Sequence, residues 1–124
     1  MSLNVRVEDK QGFSKTVFLE GRLDTTTAPE LDSVLDGVLE MPMKVLVLDL
    51  AKLDYLSSAG IRSMFRAQKA MKARGGKSAI VNPQPAVQKV LEIVKAVDLK
   101  MVFASVKELD EYLDRIQNPS DDDD

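Results

Sequence analysis

The chain has 124 residues, 44% of them hydrophobic and 30% charged, with a net charge of −3. That is the size of one domain, with enough apolar surface for a core. It contains neither cysteine nor histidine, which excludes disulfides, thiolate chemistry, zinc–thiolate sites and any Ser-His-Asp triad.

Seventeen basic residues face 20 acidic ones, and four of the latter are the terminal run Asp121–Asp124. The rest is close to neutral, without the basic footprint that nucleic-acid binding leaves. In chain order, MSLNVRVEDK alternates as a half-exposed strand through Leu3, Val5 and Val7 and has no signal-peptide core. No apolar run approaches the roughly 20 residues that span a membrane. A cytoplasmic protein without direct membrane insertion is expected.

Residues 9–14 read as a turn and 15–20 as a second strand, hairpin-paired with the first. Thr27 and Glu30 have the spacing of a capping box, and Pro29 suits a first helical turn. Leu31, Val34, Leu35, Val38 and Leu39 then form one helical stripe, predicting a helix over 27–40. The near-continuous apolar run Lys44–Leu50 predicts a central strand covered on both faces. A helix over 59–74 follows, with Ile61, Met64, Phe65 and Met71 at helical spacing and Gly75-Gly76 as its stop. The sequence Gly75-Gly76-Lys77-Ser78 resembles the end of a phosphate-binding loop, but a helix precedes it and a strand follows, the reverse of what that loop requires.

A strand at Ser78–Val81, a loop at Asn82-Pro83-Gln84-Pro85, a helix over 85–95, a strand at Met101–Phe103 and a helix over 106–116 complete the order β-β-α-β-α-β-α-β-α. Such alternation implies a single α/β domain with a mixed, mostly parallel sheet and four main helices. Residues 118–124, polar and self-repelling, are expected to be a disordered acidic tail.

Three loops follow parallel strands and are expected on one end of the sheet. They carry Asp24, Thr25 and Thr26; Ser57 and Ser58; and Asn82 and Pro83. One of the two serines is expected to cap the helix starting at Ala59. Gly60, a poor helix former in that first turn, would let a backbone or a phosphate come close. Ser58 fails as a catalytic nucleophile because no base is arranged beside it. At a helix N-terminus it is well placed to carry a phosphate, whose dianion would meet unpaired N–H groups at the positive end of the dipole.

The pieces Gly21-Arg22-Leu23-Asp24, Thr27-Ala28-Pro29-Glu30-Leu31, Val47-Leu48-Asp49-Leu50, Tyr55-Leu56-Ser57-Ser58-Ala59-Gly60-Ile61 and Val81-Asn82-Pro83, in this order, resemble the STAS domain of stand-alone bacterial anti-sigma factor antagonists. The resemblance covers nearly all of residues 1–117. It implies a regulatory binding protein that is not an enzyme, needs no cofactor or metal, and works by partner switching. The unphosphorylated form would bind an anti-sigma factor that is also a serine kinase and so release a sigma factor. Phosphorylation at Ser58, with Ser57 as the alternative acceptor, would break the complex, and a metal-dependent serine phosphatase would reverse it. Many members have Asp where this chain has Ser57. Arg62, one turn into the helix, would contact the partner or the phosphate. The implied partner face comprises Asp24, Thr25, Thr26, Ser57, Ser58, Ala59, Gly60, Ile61, Arg62, Asn82 and Pro83, on a monomer or weak dimer. The same fold could instead serve a secretion, chemotaxis, anion-transport or lipid-transport output.

Overall fold

A computed structural model of the chain describes residues 2–10, 13–96 and 106–117. Strands β1 (Leu3–Lys10) and β2 (Ser14–Leu23) form an antiparallel hairpin, with Leu3 opposite Gly21 and Lys10 opposite Ser14. Helix α1 (Ala28–Leu39) leads to β3 (Val45–Leu56), α2 (Ser58–Ala73) to β4 (Lys77–Val81), and α3 (Pro85–Ala96) and α4 (Val106–Gln117) complete the described elements. The sheet runs β1-β2-β3-β4, with β3 parallel to both of its neighbours. The expected mixed sheet, four helices and interior position of Lys44–Leu50 are therefore present. The strand expected at Met101–Phe103 and the tail 118–124 lie outside the described residues.

Two expectations for β3 need correction. Its burial alternates, with Leu46, Leu48 and Leu50 in the core while Val45, Val47 and Asp49 are only half-buried. The core thus lies mainly on one sheet face, where these leucines meet Val17 and Leu19 of β2 and Leu31, Leu35, Met64 and Met71 of the helices. On the other face Phe18 lies beneath the guanidinium of Arg6. The strand also continues past Leu50 to Leu56. It pairs with β2 through two register shifts, so that Phe18 lies opposite Asp49, Glu20 opposite Lys52, and Arg22 opposite Tyr55. Each shift places an extra residue on β3, the signature of a bulge. The first turns both Leu50 and Leu53 inward across exposed Ala51 and Lys52.

Helix α2 ends as its sequence requires. Gly75 takes a left-handed φ of 78° and donates to the carbonyl of Lys72, while Gly76 N–H reaches back to that of Met71. This is a Schellman stop, so the glycine pair terminates a helix and holds no phosphate loop.

Candidate functional site

The ends of β2 and β3 lie side by side. Leu23 pairs with Leu56, and Ser57 N–H donates to the carbonyl of Leu23 at 3.0 Å. The turns leaving these strands, which carry Asp24 and the two serines, are therefore neighbours.

Asp24 organises its turn. Its Oδ1 accepts from the N–H and hydroxyl of Thr26 and the N–H of Thr27, and its Oδ2 accepts from Arg22 Nε at 2.9 Å. Burial opposes ionisation of this carboxyl, but hydrogen bonds from the Thr26 side chain, Arg22 and the backbone of Thr26 and Thr27 outweigh it, holding the carboxyl below its usual range. Its stabilising contribution is complete above the ordinary carboxylate range and is lost as pH falls through the depressed value. The capping box expected at Thr27 and Glu30 is not formed. Thr27 occupies the N-cap position of α1 but makes no side-chain cap. Its hydroxyl turns back to donate to Arg22 O and accept from Asp24 N–H. Thr25 and Thr26 are exposed.

At the second turn, Ser57 is the cap and α2 begins at Ser58, one residue earlier than expected. Ser57 has an extended backbone, its Oγ accepts from Gly60 N–H at 3.5 Å, and its carbonyl accepts the first helical bond from Ile61. Ser58 N–H donates to Asp110 Oδ1 of α4 at 3.0 Å. Both serines are only 3% exposed. The Ser58 Oγ is buried without a hydrogen-bond partner among the described residues.

Gly60 and Ile61 face the interior, Ala59 is half-buried and Arg62 is exposed. The glycine does not open a path for a ligand. A Cβ there would stand 2.6 Å from Leu23 Cγ and 2.7 Å from Leu56 Cδ1, so Gly60 lets α2 settle directly on the two strand ends. Gly60→Ala is expected to cost about 1–3 kcal/mol through overpacking, measured by urea unfolding; an unchanged midpoint would contradict this role.

Asn82 and Pro83 are less closely joined to this site than the strand order suggested. Asn82, exposed and at a φ of 58°, follows Val81, which pairs with Asp49, and its Nδ2 donates to Asp49 Oδ2. At about 3.3 Å per residue this is roughly 20 Å back along β3 from Leu56. The long second half of β3 separates the two turns.

Sequence reasoning missed the contribution of α4. The Gln117 side chain accepts from Leu56 N–H at 2.7 Å and donates to Leu56 O at 2.8 Å, as a neighbouring strand would. Tyr55 lies under the Arg22 guanidinium, 3.6 Å from ring centre to Cζ, and its hydroxyl donates to Asp114 Oδ1 at 3.3 Å. Burial, then the charge of Asp114, pushes the Tyr55 phenol up to about 12, against an opposing effect of Arg22. The unfolded phenol ionises near 10, so stability is full below that pH and falls as pH rises towards 12. The expected loss is at most about 3 kcal/mol. Tyr55→Phe should remove this slope from alkaline unfolding curves, and an equal slope in both proteins would refute the assignment.

Among the described residues, no group of three or more acidic side chains is arranged to hold a metal ion, and no helix is long and apolar enough to cross a membrane. Fold and site together define a small α/β domain focused on a serine-bearing strand-to-helix turn. The STAS domain family model matches residues 4–109, and the chain belongs to that family. BtrV of Bordetella bronchiseptica, a protein provisionally named as an anti-sigma factor antagonist, is 32% identical over 75 residues, 60% of this chain. The match spans 65% of that relative's length. Among solved structures, an anti-sigma factor antagonist from Mycobacterium paratuberculosis is similar at a TM-score of 0.69 and 24% identity, over 76% of this chain and 79% of its own. The anti-sigma factor antagonist SpoIIAA in its unphosphorylated form is similar at 0.67 and 17% identity, over 74% and 81%. Phosphorylated SpoIIAA, of Bacillus, is similar at 0.62 and 16% identity, over 73% and 83%. At these identities the solved structures speak for the fold.

Proposed function

We propose that the chain is an anti-sigma factor antagonist, a regulatory binding protein and not an enzyme, switched by phosphorylation of Ser58. The unmodified form binds an anti-sigma factor that is also a serine kinase. In the modifying step the Ser58 Oγ–H bond breaks and an Oγ–P bond forms. The γ-phosphoryl group leaves its nucleoside triphosphate as the β–γ bridging P–O bond breaks, a base of the kinase takes the proton, and the nucleoside diphosphate departs. A metal-dependent serine phosphatase hydrolyses the ester. The added charge of about −1.5 to −2 disfavours the complex.

The observation that carries Ser58 over Ser57 is the unequal use of two adjacent hydroxyls. Ser57 Oγ is committed to the Gly60 N–H, whereas Ser58 Oγ has no hydrogen-bond partner among the described residues. The proposed partner face comprises Asp24, Thr25 and Thr26, residues 57–62, and Asn82 with Pro83. Its exposed members are Thr25, Thr26, Arg62 and Asn82.

The test is affinity capture from the native cell with wild-type, Ser57→Ala and Ser58→Ala chains, followed by phosphosite mapping. Ser58→Ala should retain a partner with kinase activity and carry no phosphate, while Ser57→Ala should be labelled at residue 58. Label at residue 57 alone would move the acceptor, and label at neither residue would remove the switch.

A further inference from the structure

Three polar side chains of α4, at Asp110, Asp114 and Gln117, have the i, i+4, i+7 spacing of one helix face. They engage three closely spaced residues at the end of β3 and the start of α2. Asp110 accepts from Ser58 N–H, Asp114 from the Tyr55 hydroxyl, and Gln117 holds both backbone groups of Leu56. The hydroxyl beside these contacts is buried. We propose that α4 is a strap over the acceptor turn, and that docked α4 and a phosphate on Ser58 exclude one another.

This rests on Ser58 being the acceptor and concerns what controls access to it. The phosphate must reach solvent and the kinase, yet Ser58 is 3% exposed. A phosphate on its Oγ would also seek the N–H groups that begin α2. The Asp110 carboxylate already holds the first of these, at 3.0 Å. A dianion and a carboxylate brought to one N–H repel each other at short range in a partly dry site. Asp110 therefore leaves, and its departure removes one of the three polar contacts of α4 with this segment, which act beside the apolar packing of Leu113 and its neighbours on the core. Opening of the strap precedes phosphorylation, and the phosphate then keeps it open.

Phosphoserine installed at residue 58 during translation tests this without the kinase, with amide hydrogen exchange as the readout on the full chain. Amides of residues 107–117 should exchange at least fivefold faster than in the unmodified chain, while those of β2 and Val45–Leu50 of β3 keep their protection. Asp110→Asn removes the like charge but keeps an oxygen acceptor, and in the phosphoserine chain it should reduce the acceleration. In the unmodified chain, Asp110→Ala should speed exchange of the Ser58 amide at least fivefold. A smaller acceleration in α4, loss of protection across the sheet as well, no relief by Asp110→Asn, or no response of the Ser58 amide to Asp110→Ala would overturn the strap. Absence of phosphate at residue 58 in captured cellular protein would instead refute the acceptor reading and leave the coupling measured here intact.

Discussion

Ser58→Asp is expected to bind the partner captured by the wild-type chain roughly a hundredfold more weakly, a penalty of about 3 kcal/mol. Ser58→Ala should bind as the wild type does. The carboxylate is placed where the phosphate would be, and its charge must be desolvated or opposed within the interface. Folding controls are essential, because the two serines differ in structural role. Ser57→Ala removes the oxygen that caps α2 and should cost about 0.5–2 kcal/mol. Ser58→Ala removes a buried hydroxyl that makes no hydrogen bond among the described residues, so its effect should be near zero or stabilising by up to about 1 kcal/mol. Ser58→Asp gains from the positive helix end but faces Asp110 across the Ser58 N–H. Its folded fraction must therefore be set by urea titration before titration calorimetry. Wild-type affinity for a folded Ser58→Asp chain would sink the charge mechanism.

Much of the fold was legible because it is local. The stripe Leu31–Val34–Leu35–Val38 and the glycine stop at Gly75-Gly76 need no distant partner to be read. The second half of β3 was not legible in the same way. Leu50, Leu53, Tyr55 and Leu56 are all buried but fit neither a two-residue nor a helical period, and only pairing with β2 through bulges explains them. The capping box at Thr27 failed for a related reason. Asp24, three residues earlier, accepts from the Thr27 N–H that Glu30 would have held, the Thr27 hydroxyl is turned to Arg22 O and Asp24 N–H, and Glu30 N–H bonds Thr27 O instead. At the site, a serine at a helix start could be read from the strand, turn and helix signals around it. Asp110 could not be read, since on its own helix it looks like one more solvated acid, and its contact with Ser58 spans 52 residues. Gly60 was legible as unusual but not in its reason. The atoms its missing Cβ would strike belong to Leu23 and Leu56, on strands whose juxtaposition the local pattern does not contain.

The second large effect is expected at Gln117, which is buried and whose two polar atoms match the two backbone groups of Leu56. Gln117→Glu changes little in shape but replaces the donor Nε2 by an oxygen. At pH 7 one carboxylate oxygen still accepts from Leu56 N–H. The other faces the carbonyls of Leu56 and Leu113, which Nε2 contacts at 2.8 and 3.0 Å in the native chain. Two acceptors opposed to a buried charge should cost about 2–4 kcal/mol, a large part of the roughly 5–15 kcal/mol that holds a domain folded. Protonation restores one donor. The folded pKa of this Glu should therefore lie above its unfolded value near 4.3. The protonated form's advantage is complete below that unfolded value and is lost as pH rises through the folded one. Gln117→Ala removes the clamp without adding a charge, so its loss, of similar size at pH 7, should not recover in acid relative to wild type. Urea unfolding of the three proteins at pH 4 and pH 7 separates these cases. Gln117→Glu as stable as wild type at pH 7, or equally impaired at both pH values, would show that the pairing with Leu56 does not hold α4 in place.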